Sequence, residues 1–174
     1  MGERFAVTEL DAPVGRLRLV ASERGLARLG LPRGGDHGFS GWIRRRLPDA
    51  EEVASLPVLE RASRELDEYF SGRRMVFEVP LDLHGTPFQI QVWNALREIP
   101  FGQTRTYAEI GRAVGRPGAA RAVGTANASN PIPLIVPCHR VIAAGGKLGG
   151  YAGGLAIKRR LLALEGEAAR ADLL

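Results

Sequence analysis

Residues 106–128 of the chain read TYAEIGRAVGRPGAARAVGTANA, and this stretch decides the fold of the half that contains it. Thr106 and Glu109 have the spacing of a capping box, so a helix is predicted to begin after Thr106. Arg116-Pro117-Gly118 interrupts the pattern, and a second helix is predicted over Ala119–Ala128. Two brief helices joined by a Gly-containing turn are typical of a helix-turn-helix, although an ordinary corner between two helices gives the same pattern.

The second of these helices is predicted to be slim. Its single charged residue is Arg121, and most of its other positions hold alanine or glycine. A helix without bulky side chains can approach another surface closely, and a groove of DNA is one such surface. Taken by itself, the pattern fits tight packing inside a protein core equally well.

The positive charge of the chain is concentrated in its second half. Residues 1–80 hold 13 basic and 13 acidic residues, whereas residues 81–174 hold 11 and 6, which accounts for the whole net charge of +5. Within 101–160 there are nine basic residues and one acidic residue, Glu109. Clustered Arg and Lys are the electrostatic mark of nucleic-acid binding, so a nucleic acid becomes the leading candidate partner.

The first eighty residues predict a compact α+β unit. Apolar residues recur at helical spacing from Leu59 to Phe70. The predicted strands are Phe5–Leu10, Arg16–Ala21, Leu26–Leu31 and Met75–Leu81. The turn residues between the first three predict an antiparallel sheet. We therefore expect two domains, a structural one over 1–80 and a mostly helical one over 81–174.

Composition excludes several classes of protein. The chain is 45% hydrophobic and 25% charged, as in ordinary folded proteins and unlike disordered ones. Its one cysteine, Cys138, cannot form an internal disulfide or a four-cysteine zinc site, so a cytoplasmic location is expected. No apolar run reaches the roughly 20 residues of a membrane span, and Met1–Phe5 does not begin a signal peptide. No membrane partner is expected.

The single cysteine ends an unusual apolar run. Residues 130–142 read NPIPLIVPCHRVI, with three prolines before the thiol. A lone cysteine is most often a small buried hydrophobe. Here His139 and Arg140 beside it are expected to favour the thiolate, which is the nucleophilic form. Neighbouring side chains of an extended chain point in opposite directions, so pairing Cys138 with His139 needs a bridging water or a helical turn.

A carboxylate on the last predicted helix completes this group. Ile157 and Leu161 belong to the apolar stripe of that helix, and Glu165, four residues after Leu161, continues the stripe. We expect Glu165 to face the interior near the helix C-terminus and to need a buried partner, for which His139 is the natural candidate. A Glu that orients a His activates a cysteine nucleophile. The competing interpretation is a frayed helix end with Glu165 in solvent.

These motifs resemble those of the O6-alkylguanine-DNA alkyltransferases. The likeness rests on Pro137-Cys138-His139-Arg140-Val141, on Asn130-Pro131 before it and on Tyr151-Ala152-Gly153-Gly154 after it, all in the family's order. It covers most of the chain and is strongest from Leu81 to Glu165. The resemblance implies an α+β fold. In it, a small N-terminal antiparallel sheet with helices, ribonuclease H-like, precedes a mostly helical C-terminal domain with a winged helix-turn-helix.

The resemblance also implies direct DNA repair. A protein of this family binds duplex DNA in the minor groove, rotates an O6-alkylguanine out of the stack and transfers the alkyl group irreversibly to its cysteine, here Cys138. By the same likeness His139 is the water-mediated base, Glu165 orients it, and Asn130 fixes the turn beside the reactive loop. No cofactor and no obligate protein partner are expected.

Two further sets of residues are assigned by the resemblance. DNA binding and base flipping are assigned to Arg121, Tyr107, Ala119, Ala120, Gly124 and Asn127. The alkylguanine pocket is assigned to Tyr107, Pro133, Val141, Tyr151, Ala152 and Gly153. Arg121 would fill the gap that the flipped base leaves. Some relatives have serine where Ala152 stands, so here only the backbone N–H can donate to the guanine O6.

A metal site is not expected. Some relatives hold zinc through cysteines of the N-terminal unit, and this chain has none there. His37 and His84 are therefore interpreted as ordinary side chains.

Two other functions fit part of the pattern. A non-catalytic relative that binds and flags alkylguanine would share the DNA-binding residues, but such relatives lack the reactive cysteine and usually the N-terminal unit. A cysteine hydrolase would use Cys138, His139 and Glu165, but it gives no role to the basic stretch 101–160 or to Arg121.

Overall fold

The computed structural model describes residues 2–32 and 35–171, without the side chains of 35–37 and 167–171. The chain divides into two compact units, Met1–His84 and Gly85–Leu174. Within the described ranges, no helix has the length and apolar character needed to cross a membrane.

The first unit is built on a small sheet. Strands β1 (Arg4–Ala12), β2 (Gly15–Ser22) and β3 (Gly25–Gly30) pair antiparallel, as the sequence predicts. A short strand, β4 (Glu51–Glu52), pairs parallel with β1, which gives the order β3-β2-β1-β4. The sheet is therefore mixed rather than purely antiparallel. The long chain between β3 and β4 supplies the crossover that parallel pairing requires.

Two helices cover this sheet, α1 (Gly35–Arg46) and α2 (Pro57–Phe70). Phe39 and Trp42 of α1 pack against apolar side chains of all three antiparallel strands and form one buried cluster. Helix α2 contacts the same three strands. Burial of these apolar faces holds the short elements together. Each Å² of buried apolar surface contributes only roughly 25 cal/mol, so many side chains must contribute to the total.

The predicted strand Met75–Leu81 does not form, apart from a single bridge between Leu26 and Leu81. The backbone N–H groups of Glu78 and Val79 donate instead to the buried carboxylate of Glu65, each at 3.0 Å. The side chains of residues 75–81 have the pattern of a strand. However, the backbone N–H groups of Glu78 and Val79 are bound by a charged acceptor on α2, which binds them more strongly than a neutral carbonyl does.

His84 is the histidine of the first unit whose side chain the structure describes. His84 lies edge-on to Trp42 and beside Asp82, with Nε2 3.0 Å from the Oδ2 atom of the carboxylate. The side chain of His37 lies outside the described residues. Among the described side chains, no three of His, Cys, Asp or Glu are grouped so that they could hold a metal ion.

The second unit is mostly helical. Its elements are α3 (Pro87–Arg97), β5 (Arg105–Thr106), α4 (Tyr107–Ala113), α5 (Ala120–Ala128), β6 (Val141–Ile142) and α6 (Leu155–Ala171). A capping box between Thr86 and Gln89 starts α3. The Thr106 hydroxyl accepts from the Glu109 N–H at the start of α4, as predicted. The short strands β5 and β6 pair parallel.

Helices α4 and α5 form the predicted helix-turn-helix. The connection turns at Gly115 and Gly118, whose φ angles of 74° and 83° lie in the left-handed region that glycine adopts without strain. The Trp93 indole N–H of α3 donates to the Ala126 carbonyl at 2.8 Å and anchors the inner face of α5. On the opposite face of α5, Arg121, Thr125 and Ala128 are exposed.

Candidate active site

Cys138 begins a short 3-10 helix, Cys138–Arg140, directly after Pro137. This is the helical turn that the sequence allowed as one way to bring Cys138 and His139 to the same side. The Cys138 N–H donates to the Val136 carbonyl at 2.8 Å, and the Arg140 N–H donates to the Pro137 carbonyl at 3.0 Å. Residues 131–141 are all buried. Cys138 therefore lies on a buried loop.

Asn130 holds this loop from within. Its Nδ2 donates to the Val136 carbonyl at 2.7 Å, and its Oδ1 accepts from the Ile132 N–H at 2.9 Å. Its amide also lies within hydrogen-bonding reach of the Cys138 thiol. Between these anchors Leu134 has a φ of 75°, a left-handed conformation that costs a non-glycine residue roughly 1–2 kcal/mol. The anchors on both sides keep the strained residue in place.

His139 and Glu165 form a direct buried pair. The His139 Nε2 lies 2.6 Å from the Glu165 Oε1, and both side chains are almost completely inaccessible to solvent. Helix α6 continues to Ala171, so Glu165 is not at its C-terminus as expected, but it does face the interior. The interpretation of a frayed end with Glu165 in solvent is wrong.

Arg140 shares the same carboxylate. Its Nε donates to the Glu165 Oε2 and its Nη2 to the Glu165 Oε1, both at 2.9 Å. Its Nη1 donates to the Ile99 carbonyl at 2.7 Å. The guanidinium is buried with the carboxylate, which makes this a bidentate, fully partnered ion pair.

The protonation states of this group follow from burial and charge. Burial acts to raise the pKa of Glu165, but its hydrogen bond with His139, together with the hydrogen bonds and charge of Arg140, holds it at about 2. Burial lowers the pKa of His139 and outweighs the opposing effect of Glu165. At neutral pH the pair is therefore an ionised carboxylate and a neutral imidazole. With Nε2–H donating to Glu165, the Nδ1 atom is left as an acceptor.

That acceptor has no protein partner. The Nδ1 of His139 is buried and makes no hydrogen bond within the described part of the chain. Buried polar atoms are normally hydrogen-bonded to protein or to ordered water. An unpartnered acceptor on the residue next to Cys138 is what a water-mediated base requires.

Cys138 itself is stored as a thiol. Burial raises its pKa to about 11, although Asn130, Lys158 and Tyr151 act in the opposite direction. The expectation that His139 and Arg140 favour a resting thiolate is wrong, because His139 is neutral and Arg140 is paired with Glu165. The thiol must lose its proton to a base at the moment of reaction.

Lys158 is a member of the site that sequence reasoning missed. Its Nζ is fully buried and donates to the carbonyls of Val141 at 2.7 Å, Leu148 at 2.5 Å and Gly150 at 3.1 Å. The signal was present in helical phase, since Lys158 precedes Leu161 by three residues on the buried side of α6. Lys158 and Arg140 are thus two of the nine basic residues in 101–160 that point inward.

Tyr107 and Tyr151 are both close enough to the thiol to interact with it electrostatically. The Tyr107 hydroxyl is within reach of the Gly150 N–H, and burial followed by the proximity of Cys138 raises the pKa of the phenol. A Cβ at Gly149 would lie 2.9 Å from that hydroxyl, so glycine permits the close approach. Burial, and then Cys138, raise the pKa of Tyr151, whose buried hydroxyl has no hydrogen-bond partner of ordinary geometry in the described structure.

The other residues of the expected pocket differ in accessibility. Pro133, Val141 and Gly153 are buried around the Cys138 loop, whereas Ala152 is exposed. Ala152 therefore lies where a bound group could reach its backbone.

The exposed face of α5, which carries Arg121, Thr125 and Ala128, has an open groove. It is lined by Tyr107, Ala120, Arg121, Gly124, Thr125 and Ala128. Arg121 is exposed, and Ala119, the N-cap of α5, is partly exposed. Thr125 and Ala128 are lining residues that the expected DNA-binding set did not include. Their spacing from Arg121 and Gly124, four residues in each case, was the available signal.

Asn127 does not belong to this groove. Its side chain lies on the buried face of α5 with Val123 and Ala126 and is 6% exposed. The DNA-binding role expected of Asn127 stays a prediction, for a side chain that is buried in the structure. Successive helical positions are 100° apart, and Asn127 is six residues from Arg121, which brings it to the side that faces the core.

The exposed surface of this unit remains basic. Its exposed basic residues within 101–160 are Arg112, Arg116, Arg121, Lys147, Arg159 and Arg160. Glu109 is the one acidic residue of that stretch. The burial of Arg140 and Lys158 therefore weakens the case for a nucleic-acid partner only slightly.

Family models match both units of the chain. Residues 7–83 match the ribonuclease-like domain of 6-O-methylguanine DNA methyltransferase, and residues 87–167 match its DNA binding domain. These two ranges cover most of the sequence.

Individual relatives are similar over nearly the whole chain. The methylated-DNA–protein-cysteine methyltransferase of Methanosarcina acetivorans is 48% identical over 156 residues, covering 90% of this chain and 95% of that protein. The crystal structure of Mycobacterium tuberculosis OGT in complex with DNA is 44% identical, with a TM-score of 0.81 and 97% of each chain covered. The structure of the Mycobacterium tuberculosis O6-methylguanine methyltransferase has a TM-score of 0.80 at 44% identity, covering 98% of this chain and 97% of that one. The chain belongs to the 6-O-methylguanine DNA methyltransferase family.

Proposed function

We propose that the protein repairs DNA directly, by transferring an alkyl group from the O6 atom of guanine in duplex DNA to Cys138. The observation that carries the proposal is the arrangement of the single cysteine beside a neutral His139, whose Nε2 is held by an ionised Glu165 and whose Nδ1 is unpartnered in the described structure. Relatives named methylated-DNA–protein-cysteine methyltransferase and a relative crystallised with DNA support it.

The reaction needs only groups that the chain supplies. A water passes the Cys138 proton to the Nδ1 of His139, and the thiolate attacks the alkyl carbon in line with the leaving oxygen. The carbon–sulfur bond forms as the carbon–oxygen bond breaks, and guanine leaves as its anion. The proton held on His139 then neutralises that anion. No atom is oxidised or reduced, so no cofactor is required.

Each residue around the thiol has a part in this step. Glu165 stabilises the imidazolium that forms transiently on His139. Asn130 holds the loop that aims the thiol, and its amide lies close to the developing thiolate. The thioether product is stable, so a protein molecule reacts once and remains alkylated.

The minor groove of the duplex is assigned to the slim face of α5. Ala120, Gly124, Thr125 and Ala128 form a groove wall without bulk, and Arg121 stands at its start. Extruding a base from the stack costs a few kcal/mol, and Arg121 lowers this cost by occupying the vacated space. The exposed arginines of the unit neutralise phosphates on the flanking backbone.

The flipped O6-alkylguanine is assigned to the space in front of Cys138. Tyr107 and Tyr151 are close enough to interact with the thiol, and the buried residues Pro133 and Gly153 are assigned to the surrounding wall. The Val141 backbone is assigned to the guanine edge, and the Ala152 N–H to the O6 atom. The N-terminal unit, Met1–His84, is assigned a structural role.

Intact-protein mass spectrometry tests the proposal. The full-length protein is incubated with duplex DNA that contains O6-methylguanine, alongside a Cys138→Ser variant and an unmodified duplex. We expect the mass to rise by one methylene, to saturate at one per molecule and to map to Cys138. The variant and the unmodified duplex should give no increase.

Two other results would each point elsewhere. Tight binding to the modified duplex with unchanged mass would identify a non-catalytic protein that flags alkylguanine. Turnover of a carboxylic ester that depends on Cys138 and is unaffected by DNA would identify a cysteine hydrolase. Either result would overturn the alkyl-transfer assignment.

A further inference from the structure

Glu165 has two cationic or potentially cationic neighbours on consecutive residues. Its Oε1 is shared by the His139 Nε2 at 2.6 Å and the Arg140 Nη2 at 2.9 Å, and its Oε2 binds the Arg140 Nε at 2.9 Å. All three side chains are buried. The carboxylate that orients the base is therefore also neutralised by a permanent positive charge.

The positive charge of Arg140 matters because a carboxylate favours the protonated form of a neighbouring histidine. A negative charge within about 4–6 Å favours the imidazolium, and a buried pair of this kind is strongly coupled. An imidazolium has no lone pair and cannot accept the Cys138 proton. Against the effect of burial, Glu165 alone would thus shift His139 toward the form that cannot react.

We propose that Arg140 is a positioning residue that neutralises Glu165, so that the carboxylate orients His139 without protonating it. This inference rests on the proposed alkyl transfer and adds to it the requirement for an unprotonated base. The charged groups that face His139 are Glu165 and Lys158 on α6 and Arg140 on its own turn, with the Cys138 thiol adjacent.

Geometry assigns the task to Arg140 rather than to Lys158. The planar guanidinium places two parallel N–H groups on the two carboxylate oxygens, while the third bond, to the Ile99 carbonyl, fixes it to the end of α3. The Lys158 ammonium is already used by three backbone carbonyls.

Two variants separate the charge of Arg140 from its hydrogen bonds. Arg140→Gln keeps a donor to Glu165 but removes the charge, and Arg140→Lys keeps the charge but loses the fork. The readout is the pH dependence of the single-turnover rate constant for transfer from free O6-benzylguanine to the full-length protein. The free base avoids any contribution from DNA binding.

For Arg140→Gln we expect the acid limb of the profile to move up by about one pH unit. The rate should therefore fall by up to about tenfold on the acid limb and return to the wild-type value on the plateau above it. For Arg140→Lys we expect the limb to stay close to that of the wild type. A uniform loss at every pH in Arg140→Gln, with no displacement of the limb, would mean that Arg140 is only structural and would overturn the proposal.

A second measurement does not depend on alkyl transfer. NMR titration of the His139 ring in the unreacted protein, assigned with a His139→Gln variant, reports the imidazolium directly. We expect the midpoint to rise in Arg140→Gln and to stay near the wild-type value in Arg140→Lys. An unchanged midpoint in Arg140→Gln rejects the role of Arg140, whereas a wild-type protein that never alkylates rejects only the proposed function. If Arg140→Gln does not fold, the midpoint of the His139 titration in Arg140→Lys decides. A midpoint displaced from the wild-type value by a full pH unit contradicts the proposal.

Discussion

Lys158 and Glu165 lie seven residues apart on one face of α6 and support the reactive loop through groups of opposite charge. The ammonium of Lys158 binds the carbonyls of Val141, Leu148 and Gly150, while the carboxylate of Glu165 binds the side chains of His139 and Arg140. Two turns of helix place both groups toward the interior. One helix thus fixes both the turn that carries the nucleophile and the loop behind it.

Glu165→Gln is expected to damage both stability and rate. The substitution leaves the buried Arg140 charge without its partner, which costs about 3–5 kcal/mol. In the proposed reaction it also removes the negative charge that stabilises the transient imidazolium on His139. Chemical denaturation and the single-turnover rate with free O6-benzylguanine measure the two effects. Glu98→Gln, at an exposed carboxylate of the same unit, is the matched control and should change neither. Wild-type values for Glu165→Gln would contradict the assigned role.

Acid is expected to destabilise the protein in two steps. The pKa of His139 is lowered from the ordinary 6.5, and that of Glu165 from 4.5 to about 2. Below pH 6.5 the unfolded histidine gains a proton that the folded one refuses, so stability falls with pH. Below about 4.5 the unfolded carboxylate does the same, and its contribution is lost by pH 2. Unfolding measured from pH 8 to 3 should show both steps, and His139→Gln should lack the first. A flat profile through pH 6 would be inconsistent with a neutral buried His139.

Arg121→Ala is expected to weaken repair in duplex DNA far more than transfer from the free base. If the arginine occupies the space of the flipped guanine, its loss raises the cost of flipping by about 1–2 kcal/mol, a factor of about 5–30. Single-turnover rates with an O6-methylguanine duplex and with free O6-benzylguanine give the comparison. Arg112→Ala removes an exposed charge of α4 outside the groove and should reduce the duplex rate only mildly. Equal losses on both substrates in Arg121→Ala would exclude the base-replacement role.

Lys158→Met is expected to loosen the loop behind the active site. Three carbonyls lose a charged donor at once, and the net destabilisation should be about 2–4 kcal/mol. Hydrogen exchange at residues 148–150 should accelerate more than at the sheet of the first unit. Lys147→Met, at the neighbouring and exposed lysine, is the matched control and should leave both quantities unchanged. Identical exchange in the two variants would show that Lys158 does not hold the loop.

Part of the active site could be predicted because its signals are local. The phase of α6 placed Glu165 on the buried side, and the Thr106 cap placed Tyr107 at the start of α4. Asn127 shows the limit of such reasoning. Its position in a slim helix was predicted correctly, but the burial of its side chain depends on which face of α5 Trp93 anchors.

The sequence by itself determined the three antiparallel strands and the two helices of the helix-turn-helix, because turn residues and helix caps act through nearest neighbours. It also determined the identity of the nucleophile, since the chain has a single cysteine. Tertiary structure alone decided the protonation of Cys138, the inward direction of Arg140 and Lys158, and the replacement of the strand at 75–81 by bonds to Glu65. Each of these depends on desolvation and on partners that come from distant parts of the chain. No local pattern carries that information, since the cost of burying a charge is set by what surrounds it after folding.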